Sequence, residues 1–150
     1  MLTRLALAGV FAAAAGMAQA EYVLTILHTN DFHARFEPIN KYDSTCGEED
    51  NQAGECFGGS ARLATAIAEL KAEAVNPILV DGGDQFQGTL FYTYYKGQLA
   101  AEMMNRLGYD AMTVGNHEFD DGPEVLRGFM NAVKFPVLMS NADVSGEPLL

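Results

Sequence analysis

The chain has 150 residues, a length typical of about one domain. Its 9 Lys and Arg residues against 20 Asp and Glu residues give a formal net charge of −11, which argues against binding to a nucleic-acid backbone, and Lys and Arg form no cluster that would favour an anionic membrane surface. Hydrophobic residues make up 49% and charged residues 19%, a balance typical of globular domains and not of disordered or fibrous chains.

The first twenty residues have the three-part pattern of a secretory signal peptide. Arg4 gives a positive start, residues 5–15 form an apolar run, and Ala18-Gln19-Ala20 is a small-x-small cleavage site. The run is too short to span a bilayer. A buried core helix is the alternative, but such a helix would usually carry a polar face, and this run has none. We therefore expect residues 1–20 to be removed, leaving a periplasmic or extracellular protein that begins at Glu21.

Beyond this segment, apolar runs alternate with helical patterns. The predicted strands are Tyr22–Thr29, Ile78–Val80, Ala111–Val114 and Val137–Met139. The predicted helices are one capped by Ser60, one from Gln98 to Leu107 that ends at Gly108, and one that begins at Pro123. This repeated strand–helix–strand order predicts an α/β fold with a largely parallel sheet. No later segment is apolar enough to cross a membrane.

Residues 31–57 read as a long loop that contains both cysteines of the chain. Cys46 and Cys56 flank a polar, acidic stretch that cannot bury enough surface to order itself. In an exported protein the oxidising compartment favours a disulfide between them. A pair of zinc thiolates is the alternative, but no further Cys or nearby His completes a set of four ligands.

Three polar clusters each follow directly on a predicted strand, at residues 30–33, 82–88 and 115–120. In open α/β sheets, ligands bind outside the carboxyl ends of the strands. The clusters should therefore meet at one edge of the sheet, although they are far apart in the sequence.

These clusters carry residue types that bind metals. Asp31 and His33 are two positions apart, so in an extended segment both side chains point the same way and offer a carboxylate and an imidazole. Glycines flank Asp84, and Asn116 and His117 add an amide oxygen and a titratable ring. Each residue alone is more often a turn or cap residue. Their coincidence at three strand ends favours a metal site.

The three motifs occur in a recognisable order: D-x-H at 31–33, G-D-x-x-x-G at 83–88 and G-N-H-E at 115–118. This series resembles that of the calcineurin-like metallophosphoesterases. The longer strings ILHTNDFH, CFGGSARL and GNHEFD resemble the secreted 5′-nucleotidase branch of that family.

The resemblance implies a four-layer α/β/β/α sandwich around two divalent metal ions, with Zn, Mn, Mg and Co as candidates. It implies that Asp31 and His33 bind the first metal, that Asp84 bridges both and that Asn116 binds the second. His117 would lie beside the scissile phosphate, oriented by Asp120. It further implies that residues 21–150 are the N-terminal part of the metallophosphatase domain. The remaining His ligands and a C-terminal nucleotide-binding domain would then lie beyond Leu150.

The function expected from this resemblance is an exported, metal-dependent phosphoesterase acting on a small phosphate ester, with a 5′-nucleotidase acting on nucleoside monophosphates as the first candidate. The charge pattern agrees, because a dianionic ester and an acidic chain repel each other unless cations reverse the local sign. Two such cations also make hydroxide available near neutral pH. The alternatives are a 2′,3′-cyclic-nucleotide phosphodiesterase, a UDP-sugar hydrolase, a sulfur-ester hydrolase, and an exported metal-binding module without turnover.

Overall fold

The computed structural model describes residues 21–150, so the predicted signal peptide lies outside the described residues. Its strands are β1 (Thr25–Thr29), β2 (Pro77–Asp81), β3 (Ala111–Thr113) and β4 (Val137–Leu138). They form one parallel sheet in the order β1-β2-β3-β4. The predicted α/β fold with a parallel sheet is confirmed.

Helices lie in the segments that connect these strands. They are α1 (Glu48–Gln52), α2 (Ser60–Glu73), α3 (Leu90–Tyr95), α4 (Gly97–Leu107) and α5 (Pro123–Ala132), with a 3₁₀ turn at His117–Phe119. Connections between parallel strands are almost always right-handed, so strands that follow one another in spatial order keep their crossover helices on the same side. Residues 21–150 thus supply one helical layer and one sheet layer of the expected sandwich.

The core lies between that sheet face and the helices. Leu79 and Met112 point from the sheet into it, Phe129 and Leu126 enter from α5, and Phe86 enters from the loop after β2; all five are almost fully buried. Burial of such apolar side chains is the main stabilising contribution in a domain of this size.

The opposite face of the sheet is exposed among the described residues. Ile26 on β1 and Leu138 on β4 keep 59% and 55% of their surface exposed. No helix in residues 21–150 is long and apolar enough to cross a bilayer.

The three predicted helices are present as α2, α4 and α5, with α4 beginning one residue before the predicted Gln98, whereas α1 and α3 were not predicted. Gly108 ends α4 in the left-handed conformation, at φ 71°, and Pro123 occupies the first turn of α5. The prediction that Ser60 caps α2 is wrong, because Gly59 is the capping residue. The Ser60 hydroxyl instead donates to the carbonyl oxygen of Phe36 at 2.9 Å, so it fastens the helix to the loop after β1.

The segment predicted as one long loop contains α1 and is closed by a disulfide. Cys46 and Cys56 are bonded, with their Cα atoms 5.7 Å apart, so the predicted pairing is confirmed. Ile39 forms antiparallel bridges with Thr45 and Phe57, and these bridges tie the two ends of the loop together. A cross-link that spans so polar a stretch restricts its unfolded states.

Candidate active site

The loops that follow β1 and β2 run side by side beyond the ends of their strands. The backbone N–H groups of Asp31, His33 and Ala34 donate to the carbonyl oxygens of Gly83, Asp84 and Gln85, at 2.9, 3.0 and 3.1 Å. The first two of the three polar clusters predicted to meet at the sheet edge are therefore held together by backbone pairing.

The loop after β3 packs directly against the loop after β2. A Cβ atom on Gly83 would overlap the backbone nitrogen of Gly115, and one on Gly115 would overlap the Asp84 carboxylate. Only glycine permits backbones to approach this closely. The contact brings the N–H of His117 to 3.0 Å from Oδ1 of Asp84, so residues 33 positions apart become neighbours.

Three side chains from the three loops converge at this edge. The ligand atoms of His33, Asp84 and His117 all lie within 4.8 Å of one another. The two imidazole rings meet edge to face, with centroids 5.2 Å apart. One carboxylate and two imidazoles within this distance form a donor set suited to a divalent transition metal.

The ring of His33 is oriented by the backbone. Its Nδ1 lies 3.0 Å from the carbonyl oxygen of Phe86. A carbonyl only accepts, so Nδ1 carries a proton, and in the neutral ring Nε2 is then the nitrogen with the lone pair. A histidine held in this tautomer is prepared to bind a metal through Nε2.

Asp31 and Asn116 border this group. Oδ1 of Asp31 lies 3.8 Å from Nε2 of His33, while its other oxygen accepts a hydrogen bond from the Asn30 side chain. Asn116 is exposed and precedes the 3₁₀ turn that begins with His117. The structure thus brings Asp31 beside His33, outside the tighter group of three, and Asn116 lies on the loop that carries His117.

The backbone at the candidate ligands has an uncommon conformation. Asp31, His33 and Asp84 have φ values of 53°, 51° and 56°. Side-chain-bearing residues rarely adopt this left-handed region, and those that do concentrate at functional sites. The backbone pairing between the two loops compensates for this local cost.

His117 and Asp120 form the predicted pair. Nδ1 of His117 lies 2.7 Å from Oδ2 of Asp120, because residues three apart in a 3₁₀ turn stack over each other. The Asp120 hydrogen bond is the largest cause of a raised pKa at His117, and the charges of Asp120, Asp84 and Glu118 act in the same direction, while partial desolvation opposes them. The protonated ring is therefore more favoured than in a free histidine, and in that form Nδ1–H donates to Asp120 and Nε2–H is left for another partner.

Sequence reasoning missed the residues that brace this pair. Nε2 of Gln87 donates to the same Oδ2 of Asp120 at 3.0 Å. The next residue, Asp121, accepts from the Tyr92 hydroxyl at 2.7 Å and from Lys96 at 3.1 Å. The hydrogen bond from Tyr92 is the largest cause of a lowered pKa at Asp121, and the hydrogen bond from Lys96 acts in the same direction. Nothing in the spacing of these residues marks them, because the contacts depend on how α3 packs.

Comparison with known proteins identifies the motif series. The family model for calcineurin-like phosphoesterases matches residues 24–150. The 5′-nucleotidase of Homo sapiens is 44% identical over 143 residues, covering 95% of this chain and 24% of that protein. The snake venom 5′-nucleotidase of Naja atra is 47% identical over 126 residues, covering 83% of this chain and 23% of that protein.

A solved structure supports the same relation. The crystal structure of the 5′-nucleotidase precursor from Thermus thermophilus superposes with a TM-score of 0.71 at 41% identity, covering 85% of this chain and 24% of that one. The chain thus spans about a quarter of the length of these relatives. With the motifs, the parallel sheet and the family match in agreement, this chain belongs to the calcineurin-like phosphoesterase family.

Proposed function

We propose that the protein is a metal-dependent phosphoesterase of the 5′-nucleotidase type, which hydrolyses nucleoside monophosphates to nucleoside and phosphate. The observation that carries the proposal is the cluster of His33, Asp84 and His117 at the strand ends, with Asp120 hydrogen-bonded behind His117. A pure metal-binding module needs the donors but has no need of the His–Asp pair. The names of the relatives support the choice of substrate class.

The donor chemistry fits two divalent cations. Asp31 and His33 would hold one, Asn116 the other, and Asp84 would be shared between them. The orientation of His33 supports this assignment, since Nδ1–H bonded to the Phe86 carbonyl leaves Nε2 as the nitrogen of the neutral ring that can bind a metal. When bound, such cations offset the charge of the phosphate and supply a nucleophile derived from water near neutral pH. The chain itself is strongly acidic, so it does not attract a phosphate dianion unaided.

His117 provides the proton. Its Nδ1–H is committed to Asp120, which fixes the ring and favours the charged form. Its Nε2–H then stabilises charge on the phosphoryl oxygens and passes to the departing alkoxide, as a general acid does. The Gln87 amide on Asp120 keeps that carboxylate turned toward the ring.

A substrate panel tests the proposal against its alternatives within the same fold. The protein at its natural length, supplied with Mn²⁺, should release phosphate from AMP faster than it hydrolyses 2′,3′-cyclic AMP, UDP-glucose or a sulfur ester. A phosphate assay and chromatography of the products measure all four reactions. A preference for one of the other three substrates would assign that activity instead, and no turnover of any would favour a binding module.

The pH profile should move when Asp120 loses its charge. Because Asp120 is the main cause of the raised pKa at His117, Asp120→Asn should lower that pKa. The protonated ring is the active form, so kcat falls as pH rises through this pKa, and in the variant the fall should begin at lower pH. Asp121→Asn is the matched control, since Asp121 bonds to Tyr92 and Lys96 rather than to His117. If kcat of Asp120→Asn falls at the same pH as kcat of the unaltered protein, the proposed role of the His117–Asp120 pair is wrong.

We also propose that the protein is exported and that residues 1–20 are its signal peptide. The bonded Cys46 and Cys56 support an oxidising compartment. Tryptic mapping without reductant should therefore find a peptide 21–35 with Glu21 at its start, and a peptide 42–62 with both cysteines oxidised. A peptide 5–35 and two alkylatable thiols in the mature protein would contradict export.

A further inference from the structure

Glu118 is a buried carboxylate that does not point at the candidate metal position. The side chain is 0% exposed. Its Oε2 accepts from the backbone N–H of Asp84 at 2.9 Å and of Gly115 at 2.6 Å. Its Oε1 accepts from those of Gln85 at 2.8 Å and of Phe86 at 3.2 Å. One carboxylate thus collects four backbone donors from two loops.

Four N–H donors around one side chain call for a group with two acceptor oxygens, as a carboxylate has. It is an acceptor-only group with sites for about four hydrogen bonds on two oxygens. Burial of a carboxyl group is costly unless hydrogen bonds compensate it, and here the four N–H groups do so. A glutamine of the same shape has one acceptor oxygen, and its NH₂ group would face N–H donors that then have no partner.

The two loops joined in this way carry the central residues of the site. One loop contains Asp84, and the other contains Gly115 and His117. We propose that Glu118 is a positioning residue of the metal centre, which holds the Asp84 backbone against the turn of His117 and so sets the spacing between shared ligand and proton donor. The expected effect of Glu118 on kcat rests on the proposed function, whereas its expected effects on the loop backbone and on metal affinity do not.

The variant Glu118→Gln tests the inference on the protein at its natural length. In chelator-treated protein, deuterium exchange should accelerate in peptides that contain residues 84–86 and Gly115, because the amides that face the new NH₂ group lose their acceptor. Calorimetric titration with Mn²⁺ should show affinity reduced roughly 10- to 100-fold, the range for residues that orient metal ligands. At saturating Mn²⁺, kcat for AMP should remain below that of the unaltered protein.

Two controls separate positioning from ordinary loss of stability. Glu124→Gln makes the same chemical change at an exposed residue of α5. Met104→Ala truncates a core side chain of α4 that is 2% exposed, and it should lower Tm with little effect on Mn²⁺ affinity measured well below Tm. If Glu118→Gln behaves like Met104→Ala, with lower Tm but unchanged exchange at the two loops and unchanged Mn²⁺ affinity, Glu118 is structural only and the inference is wrong.

A conservative variant covers the case in which Glu118→Gln does not fold. Glu118→Asp keeps the charge but is one methylene shorter, so it should reach fewer of the four donors and weaken Mn²⁺ binding to a smaller extent. A folded Glu118→Asp protein with unaltered exchange and affinity would overturn the inference. Failure of the unaltered protein to release phosphate would instead contradict the proposed function, while the exchange and Mn²⁺ results would still decide the role of Glu118.

Discussion

Asp84→Ala should abolish phosphate release from nucleoside monophosphates and weaken metal binding throughout the site. Asp84 is at the centre of the arrangement, because its carboxylate lies within 4.8 Å of the ligand atoms of His33 and His117 and also accepts the His117 N–H at 3.0 Å. Loss of a shared ligand should lower metal affinity by more than the roughly 10- to 100-fold that is typical when a residue that only orients a ligand is removed. The measurement is metal content by elemental analysis, alongside phosphate release.

Asp143→Ala is the matched control for this change. Asp143 is an exposed aspartate in the loop after β4, where its carboxylate accepts the N–H of Ser145. Its removal should leave metal content and rate unchanged. Full metal content and full activity in Asp84→Ala would overturn the proposal of a shared ligand.

His117→Ala should separate catalysis from metal binding. The protein should retain nearly full metal content while kcat falls by roughly 10²- to 10⁴-fold, the range for loss of a general acid. The reason is that Nδ1 of His117 is engaged with Asp120, and in the proposed mechanism its other nitrogen serves the substrate rather than a metal. Asp120→Asn should lower kcat by a smaller factor, since Asp120 acts only through the His117 ring.

His33→Ala provides the contrast within the same cluster. The two rings lie 5.2 Å apart, yet His33 is oriented as a ligand by the carbonyl of Phe86. His33→Ala should therefore lose metal and activity together. If His117→Ala loses metal to the same degree, then His117 is a ligand, as its place in the cluster permits, and the general-acid role is wrong.

The sequence predicted those parts of the molecule that depend on local patterns. Short runs of apolar residues marked the four strands, and parallel topology then required the polar clusters after them to meet at one edge. The spacing of His117 and Asp120 was informative because a single turn of helix brings residues three apart into contact. The Cys46–Cys56 pairing was also predictable, since only two cysteines were present.

Contacts across long sequence separations were not predictable in this way. Glu118 meets Asp84, Gln85 and Phe86 over 32 to 34 positions, and Gln87 reaches Asp120 over 33. The partners in these contacts are backbone N–H groups and one carboxylate. Many different side chains could bind such groups, so residue type alone does not identify the pairs. Ser60 looked like a helix cap by residue type alone, but the proximity of the Phe36 carbonyl directed its hydroxyl elsewhere. Tertiary packing decides such choices between equivalent local partners.

The most direct test of the proposed function is phosphate release from AMP by chelator-treated protein, measured before and after Mn²⁺ is returned. The proposal predicts negligible release without metal, because the acidic site then repels the dianionic ester, and recovery of turnover when Mn²⁺ occupies the site formed by Asp31, His33, Asp84 and Asn116. Release at the original rate from protein whose metal content is shown to be zero would contradict it.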